Sequence, residues 1–150
     1  MTFDERSERN ITTLSPKTQE LARKFLEAAG KALEPRGLVV KIISGTRTYA
    51  EQSELYAIGR TTQLGARRVT NAKAGQSLHN HTIALDVGIF QGAKYLEEDK
   101  AYTDLGPIGE ACGFEWGGRW KTIQDFPHYQ LPGYTLAKLQ EMHDRGERPA

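Results

Sequence analysis

The chain predicts an α+β fold: a small antiparallel sheet with helices packed on it, forming a single compact domain over residues 1–150. Three observations carry that expectation. Segments of helical period alternate with short apolar runs, the connections are too uneven for a regular strand–helix–strand series, and no repeat, linker or low-complexity stretch divides the chain. At 150 residues it is long enough to close one hydrophobic core without staples.

The elements follow in order. "LSPKTQELARKFLEAAGKAL" predicts a helix with Ser15 as N-cap, Pro16 in its first turn and Leu21, Phe25, Leu26, Ala29 and Leu33 on one face; "EPRG" stops it. "LVVKIIS", bounded by Gly37 and Gly45, predicts a buried strand. In "TYAEQSELYAIG" Thr48 and Glu51 make a capping box, Leu55, Tyr56 and Ile58 are available to the core, and Gly59 ends the helix. From Arg60 to Gln76 the apolar pattern lapses into a basic, small-residue stretch that reads as a long functional loop. "TIALDVGIF" resumes strand character, "DLGPIGEACGF" predicts a short helix closed by Gly113, "HYQL" a strand, and "TLAKLQEMHDRG" a last helix with Leu136, Leu139 and Met142 inward.

Composition excludes several classes. With 38% hydrophobic and 26% charged residues and a net charge of +1, the chain suits neither disorder nor steering toward a polyanion, so nucleic acid is not an expected partner. Its one cysteine, Cys112, rules out an internal disulfide and is expected to be a buried structural thiol. The charged start, "MTFDERSERN", lacks the apolar region of a secretory signal, and no stretch approaches the roughly 18 apolar residues that span a bilayer. The expectation is a chain made in the cytoplasm, without stable membrane insertion.

"SLHNHTIALD" places His79, His81 and Asp86 within ten residues, in a chain with four histidines. A catalytic zinc site takes three protein ligands and keeps one open position. His79 and Asp86 can supply two, and His128 in "DFPHYQL" the third, because Pro127 stiffens its approach and the strand that follows could pair beside residues 83–87. On spacing alone a set of His79, His81 and His128 stays open, since residues 79 and 81 share a face of any extended strand. So does the plainer reading, in which these histidines are ordinary surface or core groups. Asp125 sits on the turn before His128, where a carboxylate can lie near a metal without ligating it and act as a general base.

"SLHNHTIALDV", "WGGRW" and "DFPHYQL", in that order, resemble the zinc peptidases of peptidoglycan stem peptides, the family of D-alanyl-D-alanine carboxypeptidases and L-alanyl-D-glutamate endopeptidases. That family carries Ser-x-His-x-x-Gly-x-Ala-x-Asp and, about forty residues on, Asp/Glu-x-x-His; Ser77, His79, Ala84 and Asp86 match the first element, Asp125 and His128 the second. "KIISGTRTYAEQSELYAIGRT" and "VTNAKAGQSLHN" are similar to the endopeptidase branch found in bacteriophage endolysins, and the likeness covers roughly residues 9–131. It implies zinc on His79, Asp86 and His128, Asp125 as catalytic base, Arg47 on the substrate carbonyl or carboxylate, and Ser77 as a supporting hydrogen-bond partner. His81 then becomes a neighbour of the site, while Trp116, Trp120, Phe126 and Tyr129 either line a groove or fill the core. Together with the missing secretory signal, the likeness points to a phage endolysin that acts on the stem peptide after the membrane is opened, with a bacterial recycling or secreted-effector role as the alternative; a monomer is expected. Two alternatives share the fold: a D-alanyl-D-alanine carboxypeptidase or dipeptidase, and a non-catalytic cell-wall-binding module. The chain departs from the family at Thr82, where glycine is usual, and at His81, where an aromatic such as tyrosine is usual. A β-branched residue tolerates positive φ badly, so local adjustment is expected around Thr82.

Overall fold

The computed structural model describes residues 2–150, and its first element is one that hydrophobic periodicity does not announce. Glu5–Thr12 forms a helix (α1) capped by Asp4, whose carboxylate accepts the Ser7 N–H at 2.9 Å. Only Ser7 and Ile11 of this helix are buried. Polar bonds hold it instead: Ser7 Oγ accepts the Ile42 N–H at 2.9 Å and Asn10 Nδ2 donates to the Ile42 carbonyl at 2.8 Å. These bonds cover part of the edge of the first strand, which would otherwise expose unpaired backbone groups.

Pro16–Leu33 (α2) follows with Ser15 as its N-cap, and its expected face is buried, including Phe25 at 0% exposure. Full burial of one such side chain contributes roughly 1.5–3 kcal/mol. The helix packs on Val39–Ser44 (β1) and on the later helix Lys100–Cys112 (α4). α4 begins earlier than "DLGPIGEACGF" suggests, because Asp99 caps it by accepting the Ala101 N–H at 2.8 Å. Gly109 lets α4 approach the sheet: a Cβ there would run into the Tyr129 ring.

Between these lie Tyr49–Ala57 (α3), with the expected capping box of Thr48 and Glu51, and the loop 60–76. Leu55, Tyr56 and Ile58 are only partly buried, and the residue α3 buries is Gln52. The sheet runs β1, then Ala84–Gln91 (β2), then His128–Gln130 (β5), then Glu115–Trp116 (β4), with Lys94–Leu96 (β3) pairing on the distal part of β2; every pairing is antiparallel. The final helix, Leu136–Asp144 (α5), buries Leu139, whereas Leu136 and Met142 are half-buried. Cys112 is half-buried too, contrary to the expected buried thiol, because it falls at the C-terminus of α4; partial desolvation pushes its thiol pKa up. No helix among the described residues is long and apolar enough to cross a membrane.

Thr82 does not relax away from the glycine-like conformation. It sits at φ 65°, with its carbonyl accepting the Ser15 N–H at 3.0 Å and so tying this turn to the start of α2. The left-handed region costs a β-branched residue about 1–2 kcal/mol, while a glycine there carries about 0.5–1 kcal/mol of extra chain entropy. Thr82→Gly is therefore expected to stabilise the protein by about 0.5–1 kcal/mol, a rise of a few degrees in melting temperature for a domain of this size. An unchanged or lower melting temperature would show that the strain is absent.

Candidate metal centre

The register of the sheet builds the site. Asp86 on β2 stands directly opposite His128 on β5, and on the other side it pairs with Ser44, where β1 is irregular between Ile42 and Ser44. Gly45 follows that irregularity. His79 arrives from a single 3₁₀ turn, Leu78–Asn80, in which Ser77 accepts the His79 N–H. One oxygen of Asp86, Oδ1, lies 3.3 Å from His79 Nε2 and 3.2 Å from His128 Nδ1. Donor atoms of the three residues all lie within 4.8 Å of one another, and both rings are buried.

The far side of each ring fixes which nitrogen faces inward. His79 Nδ1 is 3.1 Å from the Gly45 carbonyl, and His128 Nε2 is 2.7 Å from Gln130 Oε1, whose own Nε2 donates to Glu115 at 3.1 Å. A carbonyl oxygen only accepts, so a neutral ring places its proton there and turns a lone pair toward Asp86. Two lone pairs and a carboxylate facing each other repel unless a cation lies between them. Protons can serve, and so can a metal held by two nitrogens and one oxygen, a donor set that suits zinc with its fourth position open. Backing of ring N–H groups by carbonyls is the arrangement that orients metal-binding histidines.

The electrostatics agree. Burial pulls the Asp86 carboxyl up, but hydrogen bonds and charge from His128 and His79 outweigh it and hold the group well below the usual carboxylate range. Burial opposes protonation of His128, yet Asp86 raises its pKa above the ordinary imidazole value. Asp125 behaves in the opposite way to Asp86: burial and the Asp86 charge push its pKa up, only partly countered by His128 and His79. It sits on the turn where its N–H donates to the Gly117 carbonyl at 3.0 Å and its carbonyl accepts the His128 N–H at 3.2 Å. Gly117 permits that proximity, since a Cβ there would collide with the Asp125 carbonyl.

Arg47 is tied to the same turn. Its N–H donates to the His79 carbonyl at 2.8 Å, and its own carbonyl accepts Asn80 Nδ2 at 3.0 Å. Its guanidinium donates through Nε to Gln52 at 3.0 Å and through Nη2 to Ser77 at 3.2 Å, and it lines a cleft of about 820 Å³ along α3. His81 is not brought into the group. The 3₁₀ turn breaks the extended spacing that would align residues 79 and 81, and His81 Nε2 lies 2.9 Å from the Gly75 carbonyl, beside Tyr49 and His143. Of the aromatic residues, Trp116 and Tyr129 are core, while half-exposed Trp120 lies against the His128 ring with centroids 4.9 Å apart. Gln52, Asn80, Gln130 and Glu115 escape the motif reading. Gln130 alone had a signal, lying two residues from His128 on the same strand face.

Residues 70–131 match the family described as D-alanyl-D-alanine carboxypeptidase. The chain is also 31% identical over 121 residues to the peptidoglycan L-alanyl-D-glutamate endopeptidase CwlK of Bacillus subtilis (strain 168), covering 74% of this chain and 71% of that protein. The chain belongs to this family of peptidoglycan metallopeptidases. Among solved structures, the L-Ala D-Glu endopeptidase ChiX of Serratia marcescens superposes with a TM-score of 0.62 at 26% identity, over 87% of this chain and 90% of that one. The D,D-pentapeptidase VanY, in a variant solved with Zn(II), shares the fold at a TM-score of 0.54 and 16% identity, over 90% of this chain and 80% of that one.

Proposed function

We propose that this peptidase is a zinc-dependent L-alanyl-D-glutamate endopeptidase of peptidoglycan stem peptides, with zinc held by His79, Asp86 and His128. The observation that carries the zinc assignment is the convergence of two inward ring nitrogens on one Asp86 oxygen, each ring backed by a carbonyl. The choice of bond is supported by the likeness to CwlK and ChiX, both named for it. When bound, zinc supplies Lewis acidity, which makes water a usable nucleophile near neutral pH and polarises a carbonyl.

The chain's own residues do the rest. Asp125, with its raised pKa, accepts the proton of the attacking water at its carboxylate and returns it to the leaving amine. Arg47 offers charge-assisted hydrogen bonds to a substrate carboxylate or to the developing oxyanion. A carboxylate is the stronger fit, because an N-acylated D-glutamate carries its α-carboxylate beside the scissile nitrogen. A C-terminal D-alanine does the same, so the family description leaves D-alanyl-D-alanine carboxypeptidase as the second reading. Amine release from an acyl-L-alanyl-D-glutamyl peptide should be abolished by chelation and restored by zinc; release that survives full metal removal would end the zinc assignment.

The biological setting we propose is that of a monomeric phage endolysin, supported by the likeness of "SGTRTYAEQSELYAIGRT" to that branch. Expressed in the cytoplasm of a susceptible bacterium, the protein should lyse cells only when the membrane is also permeabilised. Lysis without permeabilisation would argue against that setting.

A further inference from the structure

We infer that Gln52 is a positioning residue that holds Arg47 with a neutral acceptor and thereby reserves its charge for a carboxylate on the substrate; this rests on Arg47 being the substrate clamp. Gln52 is fully buried on a helix whose other residues are exposed or half-exposed. Such a burial is tolerated only with its polar atoms satisfied. Here they are: Oε1 accepts from Arg47 Nε at 3.0 Å and from Asn80 Nδ2 at 3.3 Å, and Nε2 donates to the Ala72 carbonyl at 2.8 Å. Those partners fix the orientation of the amide.

The chemistry of the acceptors is the telling feature. Arg47 is held at two of its five N–H groups by an amide oxygen and a hydroxyl, both neutral. Glu51 is near enough to feel the guanidinium, but it is engaged by the Thr48 N–H at 2.9 Å. Among the described residues the guanidinium is thus fixed in direction without a carboxylate partner, and its remaining N–H groups face the cleft it lines. A glutamate at position 52 would keep an acceptor for Arg47 Nε but cancel the guanidinium's charge, and it would lose the donation to the Ala72 carbonyl. The Ala72 bond adds a second role, because it fastens loop 60–76 to the side chain that aims Arg47.

The test compares zinc-loaded wild type, Gln52→Glu, Gln52→Met and Arg47→Ala on two peptides: acyl-L-alanyl-D-glutamate with its α-carboxylate free, and the same compound as the α-amide. The wild type should prefer the carboxylate. Gln52→Glu should raise KM on it by roughly ten- to a hundredfold, the scale of a lost charge-assisted hydrogen bond, with little change in kcat or on the amide, so that the preference collapses. Gln52→Met should cause a smaller rise in KM confined to the carboxylate peptide, since Arg47 stays charged but loses its direction. Zinc content should be unchanged in both. If the Gln52 variants keep the wild-type preference, or decline equally on both peptides in step with falling melting temperature, Gln52 is only a structural support. Should glutamate prevent folding, Gln52→Met decides by the same criterion. If Arg47→Ala itself keeps the wild-type preference, the Arg47 assignment is wrong and the role of Gln52 falls with it.

Discussion

His128→Ala is expected to remove the metal and the hydrolysis together. His128 contributes the nitrogen 3.2 Å from Asp86 Oδ1 and is itself held from behind by Gln130. Losing an outer partner of a metal-binding histidine typically costs 10–100-fold in affinity or activity, so losing the ring itself should exceed that range. The change also leaves the buried Gln130 Oε1 without its partner, at a cost of about 1–3 kcal/mol, and Asp86 with one imidazole. Elemental analysis beside a melting curve checks both parts. A variant with full zinc and wild-type turnover would remove His128 from the ligand set, whereas His81→Ala should retain its zinc, because His81 faces Gly75.

Asp125→Asn should separate proton transfer from metal binding. The amide fills nearly the same volume, and the backbone bonds that place residue 125, to Gly117 and His128, do not involve the side chain. Zinc content should therefore match the wild type while turnover falls roughly 10²- to 10⁴-fold, the usual range for loss of a general acid–base. A zinc-free Asp125→Asn would make the carboxylate a ligand or structural support. Full activity would end its role as base.

Much of this molecule can be read in its sequence because burial and period coincide there. The α2 face, the β2 run and the capping box of α3 each follow from side-chain pattern alone. What stayed hidden is held by polar bonds. α1 docks through Ser7 and Asn10 on Ile42, and α3 buries an amide where the pattern offers Leu55 and Ile58. The site divides in the same way. His79, Asp86 and His128 lie in recognisable motifs, but spacing could not tell a strand from a 3₁₀ turn at residues 78–80, and that difference turns His81 away from the group. The Gln130–Glu115 and Gln52–Asn80 contacts depend on tertiary juxtaposition across strands and loops, which no local spacing encodes.

Mass spectrometry of purified peptidoglycan digested by the zinc-loaded protein, with a chelated control, tests the proposed function most directly. Cleavage between L-alanine and D-glutamate is predicted, with new amino groups on D-glutamate that are absent from the chelated digest. Free D-alanine as the sole product would instead make the protein a carboxypeptidase, and no new amino groups at stoichiometric zinc would make it a binding module.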